Sequence, residues 1–72
     1  MDIVVEKVER DENKVKEVSV WVGNVLIIAT KSGKRLEINK FPRYRGGPGS
    51  TWIPKEEFKA ATDQIYAIFS GK

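Results

Sequence analysis

The alternation of hydrophobic and polar positions predicts strands over the first two-thirds of the chain. Residues 3–8 are rich in β-branched side chains, and residues 15–22 and 35–41 alternate between apolar and polar positions. Residues 25–30 are apolar on both faces, which indicates a central strand. Short turn signals separate these segments, at 10–14, 23–24 and 31–34. The pattern therefore predicts an antiparallel β-meander.

The last third of the chain changes to helical periodicity. Prolines and glycines make residues 41–50 a predicted loop, and a short extended segment at 51–53 follows. A helix is predicted over 55–69, with Pro54 at its start and Gly71 as its stop. Its apolar stripe consists of Phe58, Ala61, Ile65, Ile68 and Phe69. The predicted fold class is α+β: an antiparallel β-meander of four to five strands followed by one C-terminal amphipathic helix.

The length of 72 residues predicts a single domain, 1–72, with a thin core. Small domains of this kind gain stability from disulfides, a metal or oligomerisation. The chain has no cysteine and no histidine, which excludes disulfides and zinc sites built on those residues. We therefore expect no metal, and a homodimer formed through the helix, where a second helix can pack near Ala60 and Tyr66.

The residues that most often carry catalysis at neutral pH are missing. There is no histidine or cysteine, and the acidic pairs at 11–12 and 56–57 fall in a turn and in a first helical turn. The glycines at 46–49 lack the lysine that a phosphate-binding P-loop requires. We expect a binding protein without cofactor rather than an enzyme.

The apolar segments are too short to span a membrane. The longest apolar run, residues 25–29, is far below the roughly 20 residues of a transmembrane helix. The first residues lack the basic and apolar segments of a signal peptide. We therefore expect an intracellular protein with no membrane partner.

Charge is distributed unevenly along the chain. Residues 1–30 carry six acids and four bases, whereas residues 31–54 carry six bases and one acid; residues 55–72 are balanced. A basic segment of this kind points to an acidic partner, most commonly nucleic acid, or is simply a solvated hairpin.

Bases and aromatic rings alternate within the basic segment. Residues 40–45 place three cations beside Phe41 and Tyr44, and Trp52 follows. Proteins that bind single strands combine cations that contact phosphates with rings on which bases stack. Alternation places Trp52 on the side opposite Ile53, and Trp21 on the side opposite the valines of its strand. For each tryptophan two interpretations are open: a ring on which a ligand stacks, or part of the core. Phe41 is predicted in the core and Tyr44 on the surface.

The order of these parts resembles the C-terminal domain of the positive cofactor four family of transcriptional coactivators, with its bacterial and phage relatives. The similarity covers about residues 25–69: a Gly-Lys hairpin at 31–34, a strand at 35–41, a basic Pro/Gly loop, and the segment 50–58 that enters the helix. The resemblance implies a dimer of sheet-plus-helix protomers whose grooves bind single-stranded DNA or melted duplex. The candidate contacts, with Tyr44 added from the alternation of bases and rings, are Lys31, Lys34, Arg35, Lys40, Arg43, Tyr44, Arg45 and Trp52.

The chain departs from the family pattern in three places. The loop is shorter and has Gly49-Ser50 where the family has a lysine-glycine pair. The family's arginine near the end of the strand is replaced by Asn39 or Lys40, depending on the register, and residues 1–22 have no clear counterpart.

The predicted function is single-stranded DNA binding with little sequence preference, in transcription, replication or recombination. RNA is the alternative ligand, since contacts to the 2′-OH distinguish the two. A protein-interaction module that uses the acidic N-terminal hairpin is the alternative function.

Overall fold

The computed structural model describes residues 2–46 and 49–70, which contain four antiparallel strands and one helix. The elements are β1 (Ile3–Asp11), β2 (Lys14–Val22), β3 (Val25–Ser32), β4 (Arg35–Pro42) and α1 (Lys55–Phe69). The sheet order is β1-β2-β3-β4, so every strand pairs with its neighbour in sequence. The predicted α+β meander and the helix bounds are confirmed, with four strands. The predicted stop at Gly71 lies outside the described residues.

Strand β4 is longer than the sequence pattern predicts. The pattern places Pro42 in the loop and Phe41 at its boundary, but both belong to β4, where Pro42 pairs with Val25. Proline is tolerated there because β4 is an edge strand, and an edge position does not require every backbone N–H for the ladder. The loop therefore begins at Arg43, directly at the end of the sheet.

The edge strand β1 contains two irregularities in its pairing with β2. The register shifts between Val5 and Lys7 and again between Glu9 and Arg10. Irregular pairing of this kind increases the local twist and makes the edge a poor template for another chain.

Helix α1 covers one side of the sheet, and the core lies between the two. Ile27, Ile65, Val18 and Val20 are fully buried there. The complete buried apolar cluster is Val15, Val18, Val20, Val22, Val25, Ile27, Ala29, Ile53, Ala61 and Ile65. The helix covers only this side, so the opposite side of the sheet, here called the open face, has no second layer from the described residues.

All three hairpins turn through two residues, and the first residue of each turn has a positive φ. The values are 59° at Glu12, 59° at Gly23 and 62° at Gly33. Glycine adopts this conformation without steric cost, whereas a residue with a Cβ is strained by about 1–2 kcal/mol. The first hairpin therefore carries a local strain that the other two avoid.

Glu12→Gly is expected to raise the free energy of unfolding by up to about 1 kcal/mol. The substitution relieves the strain of the positive φ, and the greater conformational entropy of glycine in the unfolded chain offsets part of that gain. Urea denaturation followed by circular dichroism measures the effect. Asn13→Gly is the matched control, because Asn13 has no positive φ and gains only the entropic cost. An equal response of the two variants would contradict the strain at Glu12.

Candidate nucleic-acid interface

The strand register arranges the side chains of the open face in three rows across the sheet. The aromatic row consists of Val4, Trp21, Leu26 and Phe41. The middle row consists of Lys7, Ser19, Ile28 and Asn39. The acidic row consists of Glu9, Glu17, Thr30 and Glu37. The open face thus changes from apolar at the loop end to acidic at the other end.

The aromatic row leaves large apolar side chains in contact with solvent. Phe41 is 46% exposed and Val4 is 55% exposed, while Trp21 and Leu26 are half-buried by their neighbours in the row. The expectation that Phe41 belongs to the core is wrong. It pairs with Leu26 on the open face, where no helix covers it. An exposed apolar patch on a small domain commonly marks an interaction surface.

Arg43 extends the aromatic row. Its guanidinium carbon lies 4.6 Å from the centre of the Trp21 ring, a cation–π distance. The backbone N–H of Arg43 donates to the carbonyl oxygen of Asn24 at 2.8 Å, which fixes the start of the loop against the β2–β3 turn. Tyr44 and Arg45 follow and are exposed, Tyr44 to 67%, as predicted for Tyr44. Cations and rings therefore meet at this end of the open face.

Trp52 lies on the segment that leads into α1. Ile53 is buried in the core and Trp52 is 71% exposed, which confirms that the two point in opposite directions. The backbone N–H of Trp52 donates to the carbonyl oxygen of Gly49 at 2.9 Å. Lys40 Nζ lies 5.6 Å from the Phe58 ring centre, so the first turn of α1 is close to the end of β4. Trp52 is therefore at the same end of the molecule as Arg43.

The acidic row is held by polar contacts within the sheet. Thr30 Oγ1 donates to Glu17 Oε1 at 3.2 Å across β2 and β3. Lys7 Nζ lies 3.3 Å from Glu9 Oε2, joining the middle row to the acidic row. Glu9, Glu17 and Glu37 make the acidic row locally negative, which disfavours phosphate at that row.

The structure does not bring the eight predicted contact residues into one site. Three lie at the β3–β4 turn: Lys31, Lys34 and Arg35. Five lie towards the loop end: Lys40, Arg43, Tyr44, Arg45 and Trp52. Since a strand rises about 3.3 Å per residue, the ends of the eight-residue β4 are more than about 20 Å apart. Lys40 also points to the helix side, because it pairs with the buried Ile27.

The aromatic row itself is the part that sequence reasoning missed. The signal was present for Phe41: alternation along β4 places it with Arg35 and Glu37, opposite Leu36 and Ile38. The stacking of Arg43 on Trp21 joins residues far apart in the sequence, and no local pattern indicates it.

Neither a metal site nor a membrane-spanning helix is found in the described part of the chain. No group of three or more acidic side chains within residues 2–46 and 49–70 is arranged to hold a metal ion. Helix α1 has 15 residues, and no helix among these residues is long and apolar enough to cross a bilayer.

Comparison with known proteins gives no match to a family model, a curated protein sequence or a solved structure. Function is therefore inferred from the side chains of the site.

Proposed function

We propose that this protein binds single-stranded DNA, with little sequence preference, at the loop end of the open face. The observation that carries the proposal is the stack of Arg43 on Trp21, in the same row of the open face as the exposed Phe41. Unpaired bases stack on aromatic rings and on the plane of arginine, and each stacked base contributes about 1–3 kcal/mol. Processes that expose single strands, such as transcription, replication or recombination, would use such an activity.

The chemistry of the site divides between bases and phosphates. Phe41 and the Trp21–Arg43 stack offer planar surfaces to bases, while Arg45 and the outer edge of Arg43 are available for phosphate oxygens. Arginine suits this role because its fork of N–H donors matches phosphate geometry. Stacking tolerates any base, which is the reason for weak sequence preference. A duplex buries its base faces, so it competes poorly for these rings.

The acidic row limits the path of a bound DNA strand. Phosphates are repelled from Glu9, Glu17 and Glu37, so a bound strand crosses the aromatic row instead of following the whole open face. The strand then leaves the open face towards Tyr44 and Trp52. Both side chains are exposed and provide further rings for stacking.

Dimerisation through α1 is part of the proposal. Tyr66 is 54% exposed, and Ala60 and Ala67 are exposed on the same outward side of the helix. The Lys59–Asp63 ion pair, at 3.0 Å, lies beside them. A second copy packed on this surface would leave both open faces free, so a dimer would bind two strand segments.

The acidic row favours a second candidate, binding of a basic protein segment. Three carboxylates at one end of an uncovered sheet provide a negative surface for such a partner. Under this function the arginines of the loop play no part, which separates it from strand binding.

Fluorescence anisotropy with labelled oligo-dT of about 20 nucleotides tests the main proposal. We expect sub-micromolar binding at low salt that a duplex competitor does not displace. The logarithm of the association constant should fall linearly with the logarithm of the salt concentration, with a slope of about −0.7 for each phosphate neutralised. Phe41→Ala is expected to lower affinity about tenfold, consistent with about 1–3 kcal/mol for one stacked base. Light scattering of the complex reports whether it contains one or two protomers.

Val5→Ala is the matched control, because Val5 is similarly exposed (42%) but belongs to the helix side of the sheet. Its affinity should equal that of the unchanged protein. A parallel titration with oligo-U measures the preference for DNA over RNA. Absence of binding at low salt overturns the proposal, and binding that Phe41→Ala leaves unchanged overturns the stacking site.

A further inference from the structure

A second basic site lies at the far end of β4, where the β3–β4 hairpin meets the end of α1. The two elements enclose an open groove of about 250 Å³. Its lining includes three cations from the hairpin, two residues from the last turn of the helix and the residue that caps it: Lys31, Lys34, Arg35, Tyr66, Phe69 and Ser70. The groove is separate from the aromatic row, because Arg35 in the groove and Phe41 in the row are six positions apart along β4, about 20 Å in an extended strand.

The cations of this groove are available to an external anion. Among residues 2–46 and 49–70, no carboxylate lies within ion-pair distance of Lys31, Lys34 or Arg35, and the lysines with such a neighbour lie elsewhere. Lys16, for example, is 3.5 Å from Asp11. The end of a helix carries about half a negative charge, which offsets only a small part of three positive charges.

The volume and lining of the groove are compatible with a small anionic ligand. Sites for drug-sized molecules occupy about 300–1,000 Å³, so a groove of this volume suits a phosphate group with little more than a nucleoside attached. Lys31, Lys34 and Arg35 supply charge and donors for phosphate oxygens. Phe69 provides an aromatic wall, and the Ser70 hydroxyl donates to the carbonyl oxygen of Tyr66 at 2.9 Å, which fixes the end of the helix.

We propose that this groove is a second, independent site for the phosphate of a nucleotide. The phosphate has two possible sources with the same chemistry: a free mononucleotide, or a phosphodiester of a strand that also contacts the aromatic row. The second source rests on the proposed function. In that case a DNA strand long enough to pass outside the acidic row contacts both ends of the protein, and each contact raises the effective concentration of the other.

Titration of the full chain with dTMP, followed by ¹H–¹⁵N chemical shifts, tests the site. We expect saturable shifts at Lys34, Arg35 and Ser70 with a Kd in the low millimolar range or tighter, weaker shifts with inorganic phosphate, and none with thymidine. Lys31→Gln combined with Arg35→Gln should weaken dTMP binding at least tenfold. Shifts that do not saturate, or that thymidine reproduces, overturn the proposal.

Lys14→Gln combined with Lys16→Gln is the matched control, since it removes the same charge at the same end but outside the groove. It should change dTMP affinity less than twofold; an equal reduction would show that only net charge matters. Spectral dispersion and urea midpoints establish that each variant is folded.

Oligo-dT of 4 and 20 nucleotides identifies the source of the phosphate. If a DNA strand supplies the phosphate, the variant with Lys31→Gln and Arg35→Gln binds the longer oligonucleotide about tenfold more weakly and binds the shorter one with unchanged affinity. Unchanged binding of both lengths, with dTMP binding abolished, assigns the site to a free nucleotide. Absence of all oligonucleotide binding refutes the proposed function alone, because dTMP binding is measured without a strand.

Discussion

Ile65→Ala is expected to lower the free energy of unfolding by about 2–5 kcal/mol, the range for removing a fully buried aliphatic side chain. Ile65 has no exposed surface and lies in the middle of α1, in the cluster that joins the helix to β2 and β3. A chain of 72 residues has a total stability of only about 4–11 kcal/mol, so the reduction is a large fraction of it. The helix is the cover of this side of the sheet, and a cavity here weakens its docking.

Urea denaturation followed by circular dichroism measures the reduction in stability. Gln64→Ala, at the neighbouring exposed position, is the control and should change stability by less than about 0.5 kcal/mol. A reduction below about 1 kcal/mol for Ile65→Ala would show that α1 is not docked on the sheet in solution.

Reversing the charge of Arg43 and Arg45 together is expected to reduce affinity for oligo-dT at least thirtyfold at low salt. Two charge-assisted hydrogen-bonding groups, each with a typical contribution of about 1.5–3 kcal/mol, are replaced by repulsion. The Trp21 ring is also deprived of the guanidinium that lies 4.6 Å from it. The salt dependence should become shallower, by about 0.7 in slope for each phosphate that is no longer neutralised. Anisotropy titrations at several salt concentrations provide both numbers.

Lys14→Glu combined with Lys16→Glu changes net charge equally at the opposite end and is expected to lower affinity only a few-fold. Equal reductions in the two variants would mean that overall charge, and not a site, attracts the strand. If the protein instead binds a basic partner through the acidic row, the arginine variant should retain that binding.

The sequence was sufficient to predict the elements but not how the faces are used. Period-two alternation located β2 and β4, two-residue turn signals located the hairpins, and the spacing of Phe58, Ala61 and Ile65 located α1. These are local properties, and local chemistry determines them. Alternation also separated the two sides of β2, so Trp21 was correctly placed opposite the valines.

Which side the helix covers and what remains exposed depend on contacts between distant residues. Phe41 is predicted in the core because an aromatic residue is usually buried, yet no layer formed by the described residues covers its side of β4. The eight candidate residues occur close together in the sequence, but an extended strand separates them into two ends. The Arg43–Trp21 stack requires the loop to return to the β2–β3 turn, which only the folded chain shows.

The meander order has a consequence for the way the protein folds during synthesis. Hairpins form in about 1–10 μs, whereas ribosomes add about 5–20 residues per second. The four strands can therefore pair a few seconds before α1 is complete, and the surface of Val18, Val20 and Ile27 is then in contact with water. The irregular pairing of β1 and the proline that ends β4 make both edges unsuitable for joining another nascent chain during that interval. The irregular pairing of β1 and the proline in β4 thus also protect the incomplete sheet from pairing with other chains during synthesis.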